Sequence, residues 1–174
     1  MDRRTYPFGG ARPRIAETAA VSRESTLVGD VRVGPDASVW PGVVLRGDVG
    51  PVVVGRGSHV GDNATVHASK LGQRVMVGHG AVLNESTVEE GALVGFNASI
   101  SEATVGAGSI VAMGTTVLPG TDVPPESFAF GTPAGYVPLD ESGVDAESVF
   151  EDYSSGGYAD LAARHGALFS REGE

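Results

Sequence analysis

The chain has 174 residues, enough for one domain with a sizeable core, and its 22 acidic against 12 basic residues give a net charge of −10. That acid excess argues against nucleic acid, which needs a basic face, and the lack of cysteine excludes disulfides and thiolate metal sites. No apolar run has the length of a membrane span or a signal-peptide core, so a cytoplasmic protein with no membrane partner is expected. Lys70 is the only lysine. Lysine scarcity with acid excess is a halophile-like composition; use of Arg for Lys in a GC-rich genome is the alternative.

Residues 1–26 read as an irregular lead-in, with Leu27 and Val28 opening the first strand. Val33, Val39 and Leu45 then mark a rung of three six-residue steps, and a three-residue excess between Asp48 and Val53 delays the next. From there the chain repeats every seventeen residues. Val54, Leu71, Val88 and Val105 form one aliphatic column, Val60, Val77, Val94 and Val111 a second, and Val66, Leu83, Ile100 and Val117 a third. Such a period predicts a solenoid whose rungs share one core, because a unit this short cannot bury its own apolar side. Strand alternation turns each column residue, and the small residue two places before it, inward. The 26 glycines suit a chain that turns a corner every five or six residues.

One outward column is apolar: Met76, Leu93 and Ile110, continuing His59. An exposed stripe of this kind predicts an interface, with His59 upon it. Val123 begins a partial last rung, and Pro124, Pro125 and the segment GTPAG from Gly131 to Gly135 end the repeat. The span 27–137 is thus the coil, and 138–174 an acidic linker followed by a helix. Asp140, Glu141, Asp145 and Glu147 read as a solvated approach, and from Ala146 onward Tyr158, Leu161, Ala162, His165 and Leu168 keep helical spacing on one face, predicting a helix packed along the coil. His165 reads as structural.

Used as a ruler, the period aligns Arg46, His67, Asn84 and Ser101, each just after a third-column aliphatic, at about 4.8 Å per rung. His67 and Asn84 are therefore neighbours. His79, two places after Val77, sits beyond a corner and would meet that pair only across a boundary with a second chain.

The segments VWPGVVLRGDVG from Val39, GDNATVH from Gly61, VGHGAVLN from Val77 and the closing GTPAG together resemble the γ-class carbonic anhydrases. The resemblance spans roughly residues 30 to 137. It implies an all-β fold, a left-handed parallel β-helix of hexapeptide repeats with a C-terminal α-helix, assembled as a homotrimer. It also implies a zinc, iron or cobalt ion held by three histidines at each subunit boundary, two from one subunit and one from the next. By position, His67 matches the first ligand and His79 the one that crosses the boundary; Arg46 and Asp48 match the family's RGD element, in which the Arg forms an intersubunit ion pair and helps order the site. Asp62 matches the acid of the same network. Two positions depart from the pattern. Asn84 stands where the third histidine is expected, and Gly61 where a glutamine would hold the metal-bound water. An amide oxygen is a weak ligand beside an imidazole.

With a metal bound, the resemblance implies reversible hydration of carbon dioxide to bicarbonate, through metal-activated water. Glu85 is the nearest candidate for a proton shuttle. Without one, Asn84 is a ladder amide beside Ser101, and the chain is a catalytically silent trimeric scaffold of the same family, free of metal. A hexapeptide acyltransferase is the third reading. It would want a long loop leaving the coil and basic side chains on the later rungs, and no Lys or Arg follows Val88 before Arg164.

Overall fold

The structure is a computed structural model that describes residues 4–153 and 155–169. Its strands stack in three columns around one core, a left-handed parallel β-helix. In parallel register from each rung to the next, Val54 pairs with Leu71, Leu71 with Val88 and Val88 with Val105; Val60, Val77, Val94 and Val111 pair successively in the same way, as do Val66, Leu83, Ile100 and Val117. Every one of these residues is buried, as are the small residues two places before them, among them Ala64, Ala81, Ala92 and Ala98. Where the small residue is serine, its hydroxyl makes the burial affordable. Ser69 donates to His67 O at 2.8 Å and accepts from the amide of Ser86 at 2.9 Å, and Ser58 and Ser86 repeat the arrangement at other corners.

The coil begins earlier than the periodicity of the middle suggests. Strands Arg4–Tyr6 and Arg14–Ile15 both pair with Thr26–Val33, and Ala20–Val21 pairs with Ser38–Val39. The lead-in expected to be irregular over 1–26 thus already contributes three short strands to the coil, with turns and irregular chain between them. Ile15, Val21 and Leu27 keep the six-residue step, but polar and charged residues between them mask it in the sequence. At the far end, Ser127–Gly131 pairs in parallel with Ile110–Val111 and turns through the cis Thr132–Pro133 bond into the antiparallel strand Ala134–Pro138.

After a 3-10 turn at Leu139–Glu141 come α1 (Ala146–Asp152), α2 (Ser155–Arg164) and α3 (Gly166–Phe169), three short helices where one was expected. Asp145 caps α1 by accepting from the amide of Ser148, and glycines at 156, 157 and 166 lower helix propensity further on. The helices do pack along the coil. Tyr158, Leu161, Ala162, Leu168 and Phe169 close over Trp40, and Arg23 ties down the end of α3 through the carbonyl of Ala167.

The apolar stripe is not exposed. Met76, Leu93 and Ile110 lie beneath Phe128, Leu139, Val144, Val149 and Phe150 of the chain's own C-terminal segment. Burying three such side chains is worth about 1.5–3 kcal/mol each. A stripe that a tail of the same chain can reach looks, in a repeat pattern, the same as one left for a partner. Among the described residues no helix is long and apolar enough to cross a membrane.

Candidate functional site

Arg46, His67, Asn84 and Ser101 stand in one register on the third-column face. The three-residue excess brings a further group to them. Gly29 pairs with Gly47, but the next pair is Val31 with Val52, so residues 48–51 bulge opposite the single residue Asp30. Gly47 cannot carry a side chain there, since a Cβ would lie 2.4 Å from the carbonyl oxygen of Asp30. The bulge delivers Asp48 to the ring of His67.

His67 is held at both nitrogens. Nδ1 lies 2.8 Å from Asn84 Oδ1 and Nε2 lies 3.0 Å from Asp48 Oδ1. Arg46 Nε donates to both oxygens of Asp48, at 3.0 and 3.2 Å, and the amide of Val49 adds a third donor. Burial pushes the Asp48 carboxyl up, but hydrogen bonds from Arg46, a backbone amide and His67 outweigh it and hold the group below the ordinary aspartate value. A neutral His67 ring donates to one of its two oxygens and turns the lone pair of its other nitrogen towards the second, whereas a doubly protonated ring donates to both.

His79 occupies the corner between strands Met76–Val77 and Val82–Asn84. Seventeen residues earlier stands Asp62, and seventeen later Phe96. The amide of Asp62 donates to His79 Nδ1 at 3.1 Å, which uses the Nδ1 lone pair and puts the proton of a neutral ring on Nε2. Asp62 Oδ2, 2.8 Å from the same nitrogen, is the acceptor for the other tautomer. Phe96 stacks on the ring with centroids 5.0 Å apart and planes at 26°. The His79 side chain is 44% exposed.

Gly61 belongs to this packing. A Cβ there would lie 2.9 Å from His79 Nδ1 and 3.0 Å from its amide nitrogen. The glutamine of the γ-class pattern thus cannot enter without displacing His79.

The structure therefore brings together Arg46, Asp48, His67 and Asn84, and separately Asp62 and His79. It joins the two groups nowhere in one chain, and among the described residues no three His, Asp or Glu side chains could hold a metal ion. The donors do not fit a three-histidine centre. Asn84 supplies no nitrogen ligand, His67 has both nitrogens engaged, and His79 ligating through Nε2 would have to exchange the Asp62 amide for the carboxylate. Asn84 stands in register with Ser101, where a ladder amide was expected, but the side-chain contact it makes is with His67 on the preceding rung.

His59 corrects an expectation. It is 1% exposed, not on a surface or interface, because the C-terminal helices cover its column. Ser38 Oγ is 3.0 Å from its Nδ1, and the rings of Tyr158 and Trp40 lie 4.0 and 5.7 Å away. Desolvation, with a smaller effect of the His79 charge, lowers its pKa to about 3. Glu85 stands exposed at its corner with φ +47°. His165 is exposed, its ring edge-on to Trp40 at 6.0 Å. Phe96 and the contact between Asp48 and His67 were missed. The same seventeen-residue ruler, laid along the column of His79, would have found the first.

No family model matches the chain. It is 41% identical over 64 residues to a carbonic anhydrase of Geobacillus kaustophilus, a stretch covering 37% of this chain and 35% of that protein. It is 43% identical over 58 residues to the mitochondrial gamma carbonic anhydrase 1 of Arabidopsis thaliana, covering 33% and 21%. The match thus spans about a third or less of these relatives' length. Among solved structures, a hexapeptide transferase family protein from Anaplasma phagocytophilum superposes with a TM-score of 0.85 at 30% identity, over 92% of this chain and 97% of that one. A putative acetyltransferase from Bacillus cereus gives 0.82 at 30% identity, over 95% and 100%.

Proposed function

The chain belongs to the hexapeptide transferase family and is γ-carbonic anhydrase-like, and on that footing we propose that it is a homotrimeric assembly protein whose ancestral metal position is held by hydrogen bonds. The observation that carries this reading is the double engagement of His67, by Asn84 on one side and Asp48 on the other. Arg46, Asp48, His67 and Asn84 form a closed polar chain that orders the boundary face without an ion. Such a chain of satisfied polar groups gives a contact surface its register and contributes no nucleophile. The partner is a second and third copy of this chain.

A second reading is favoured by one feature. His79 is well exposed and its Nε2 makes no hydrogen bond among the described residues, which suits a group directed at a neighbouring subunit. That reading is reversible hydration of carbon dioxide at the boundary, with His67, the neighbour's copy of His79 and Asn84 around a zinc, iron or cobalt ion. An acyltransferase has less support, because no cationic side chain lies between Arg74 and Arg164 to meet the phosphates of a coenzyme.

The two main readings separate in one experiment. Carbon dioxide hydration is followed by stopped flow on trimer purified without a histidine tag, alongside the Asn84→His variant. The assembly reading expects the parent to match buffer with or without added zinc. Zinc-dependent turnover by the parent at the level of Asn84→His overturns it.

A further inference from the structure

The column that carries His79 continues past it, and the continuation reaches the C-terminal helices. Asp62, His79 and Phe96 occupy the same corner of three successive rungs, so the imidazole is fixed above at Nδ1 by Asp62 and below on its face by Phe96. Phe96 is itself fixed. Tyr153, the residue that ends α1, meets its ring edge-on at 5.9 Å and 77°. Gly78 leaves room for it, since a Cβ at that position would lie 2.6 Å from Phe96 Cδ1. An apolar cavity of about 230 Å³, bordered by Leu93, Phe96, Met113, Val149 and Tyr153, adjoins the stack, so no polar side chain competes for the ring of Phe96 from that side.

We propose that Phe96, braced by Tyr153, is a positioning residue that holds the ring of His79 so that Nε2 faces out of the chain. The inference rests on the reading that His79 serves a subunit boundary. With Nδ1 bound to Asp62 and one ring face covered, rotation of the imidazole about its bond to Cβ would break the amide hydrogen bond and the stack together. In the Nε2–H tautomer Nε2 is left as a donor directed at an acceptor of the next subunit, and an ion there would require the proton to move to Nδ1, against Asp62 Oδ2. The docking of α1 is thereby linked to the orientation of a site residue that the helix does not touch.

The test is the tautomer and order of the His79 ring, read by long-range proton–nitrogen NMR on the trimer, with His79→Gln to assign the signals and thermal melting to show that each variant is folded. The parent is expected as a single Nε2–H tautomer. Phe96→Leu, which keeps apolar volume but removes the stack, is expected to give mixed tautomers; Phe96→Tyr restores the single form. Tyr153→Leu is expected to move the His79 signals part of the way, although Tyr153 makes no contact with that ring. A single unchanged tautomer in Phe96→Leu, or His79 signals unmoved by Tyr153→Leu, overturns the proposal.

A second readout uses the Asn84→His background, where adding Phe96→Leu is expected to weaken zinc affinity by about 10–100-fold, as loss of an outer-shell contact does, with Phe96→Tyr recovering it. Unchanged affinity in the Phe96→Leu variant counts against positioning. If Asn84→His takes up no zinc at all, the boundary reading of His79 falls, while the tautomer measurements still decide the role of Phe96.

Discussion

Asn84 Oδ1 lies 2.8 Å from Nδ1 of His67, one rung away in parallel register, at the place where the γ-class pattern has a third histidine. An ion would bring two such residues together by accepting their lone pairs. Here the amide meets the imidazole directly, and Asp48 meets the other ring nitrogen at 3.0 Å. At this position the chain has a hydrogen-bonded column in place of the ligand set of the γ-class pattern. Arg46 continues that column through Asp48 on the same face.

If the column needs no ion, its stability is indifferent to chelator. Melting of the protein with excess EDTA and with added zinc is expected to give one midpoint for the parent. Asn84→Ala removes a side-chain hydrogen bond to a part-buried ring and is expected to cost about 0.5–1.5 kcal/mol, again without metal dependence. Asn84→His is the variant expected to melt higher with zinc than with EDTA.

Gly61 offers a separate check on the placement of His79. Because a Cβ at 61 falls 2.9 Å from His79 Nδ1, Gly61→Gln is expected to destabilise the chain by about 1–3 kcal/mol and to make zinc binding by an Asn84→His background weaker rather than stronger. Denaturant unfolding and zinc titration of the double variant measure both effects. A double variant as stable as Asn84→His would show that His79 does not sit against Gly61.

The buried His59 sets a pH dependence. Its folded pKa of about 3 lies below the ordinary value of 6.5, so between these limits the unfolded chain binds a proton that the folded one refuses. Its contribution to stability is whole above pH 6.5 and is lost progressively as pH falls towards 3, at a slope approaching about 1.4 kcal/mol per pH unit. His59→Phe is expected to flatten the stability curve between pH 6 and 4 relative to the parent, as read by urea unfolding. Parallel curves in that window would contradict the assignment.

The burial of Met76, Leu93 and Ile110 beneath α1 separates two kinds of contact. A Val149→Asp, Phe150→Asp variant is expected to loosen the helix, raise binding of a hydrophobic dye and lower the melting midpoint, while eluting at the same mass as the parent, that of the proposed trimer. Were the stripe a subunit interface, the same variant would elute as monomer.

The columns of the coil were legible because each inward position is an aliphatic whose period cannot be shifted without exposing it, as Leu83 and Ile100 illustrate. Adjacency of His67 and Asn84 followed from the same register. Less legible was what covers an outward face. Met76 and His59 are outward in the repeat and buried in the molecule, because segments some seventy and a hundred residues further on fold back over them. The contact of Asp48 with His67 was hidden for a different reason. It depends on where a three-residue bulge places a side chain, and an insertion breaks the ruler that placed everything else.

Whether hydrogen bonds fill the position that the γ-class pattern gives to a metal is tested most directly by crystals grown with zinc and measured on both sides of the zinc absorption edge. The expected result is no anomalous peak between His67 and the neighbouring subunit, with Asn84 Oδ1 still within hydrogen-bond distance of His67 Nδ1. A full-occupancy peak bonded to His67 and to a histidine of the neighbouring subunit would contradict it.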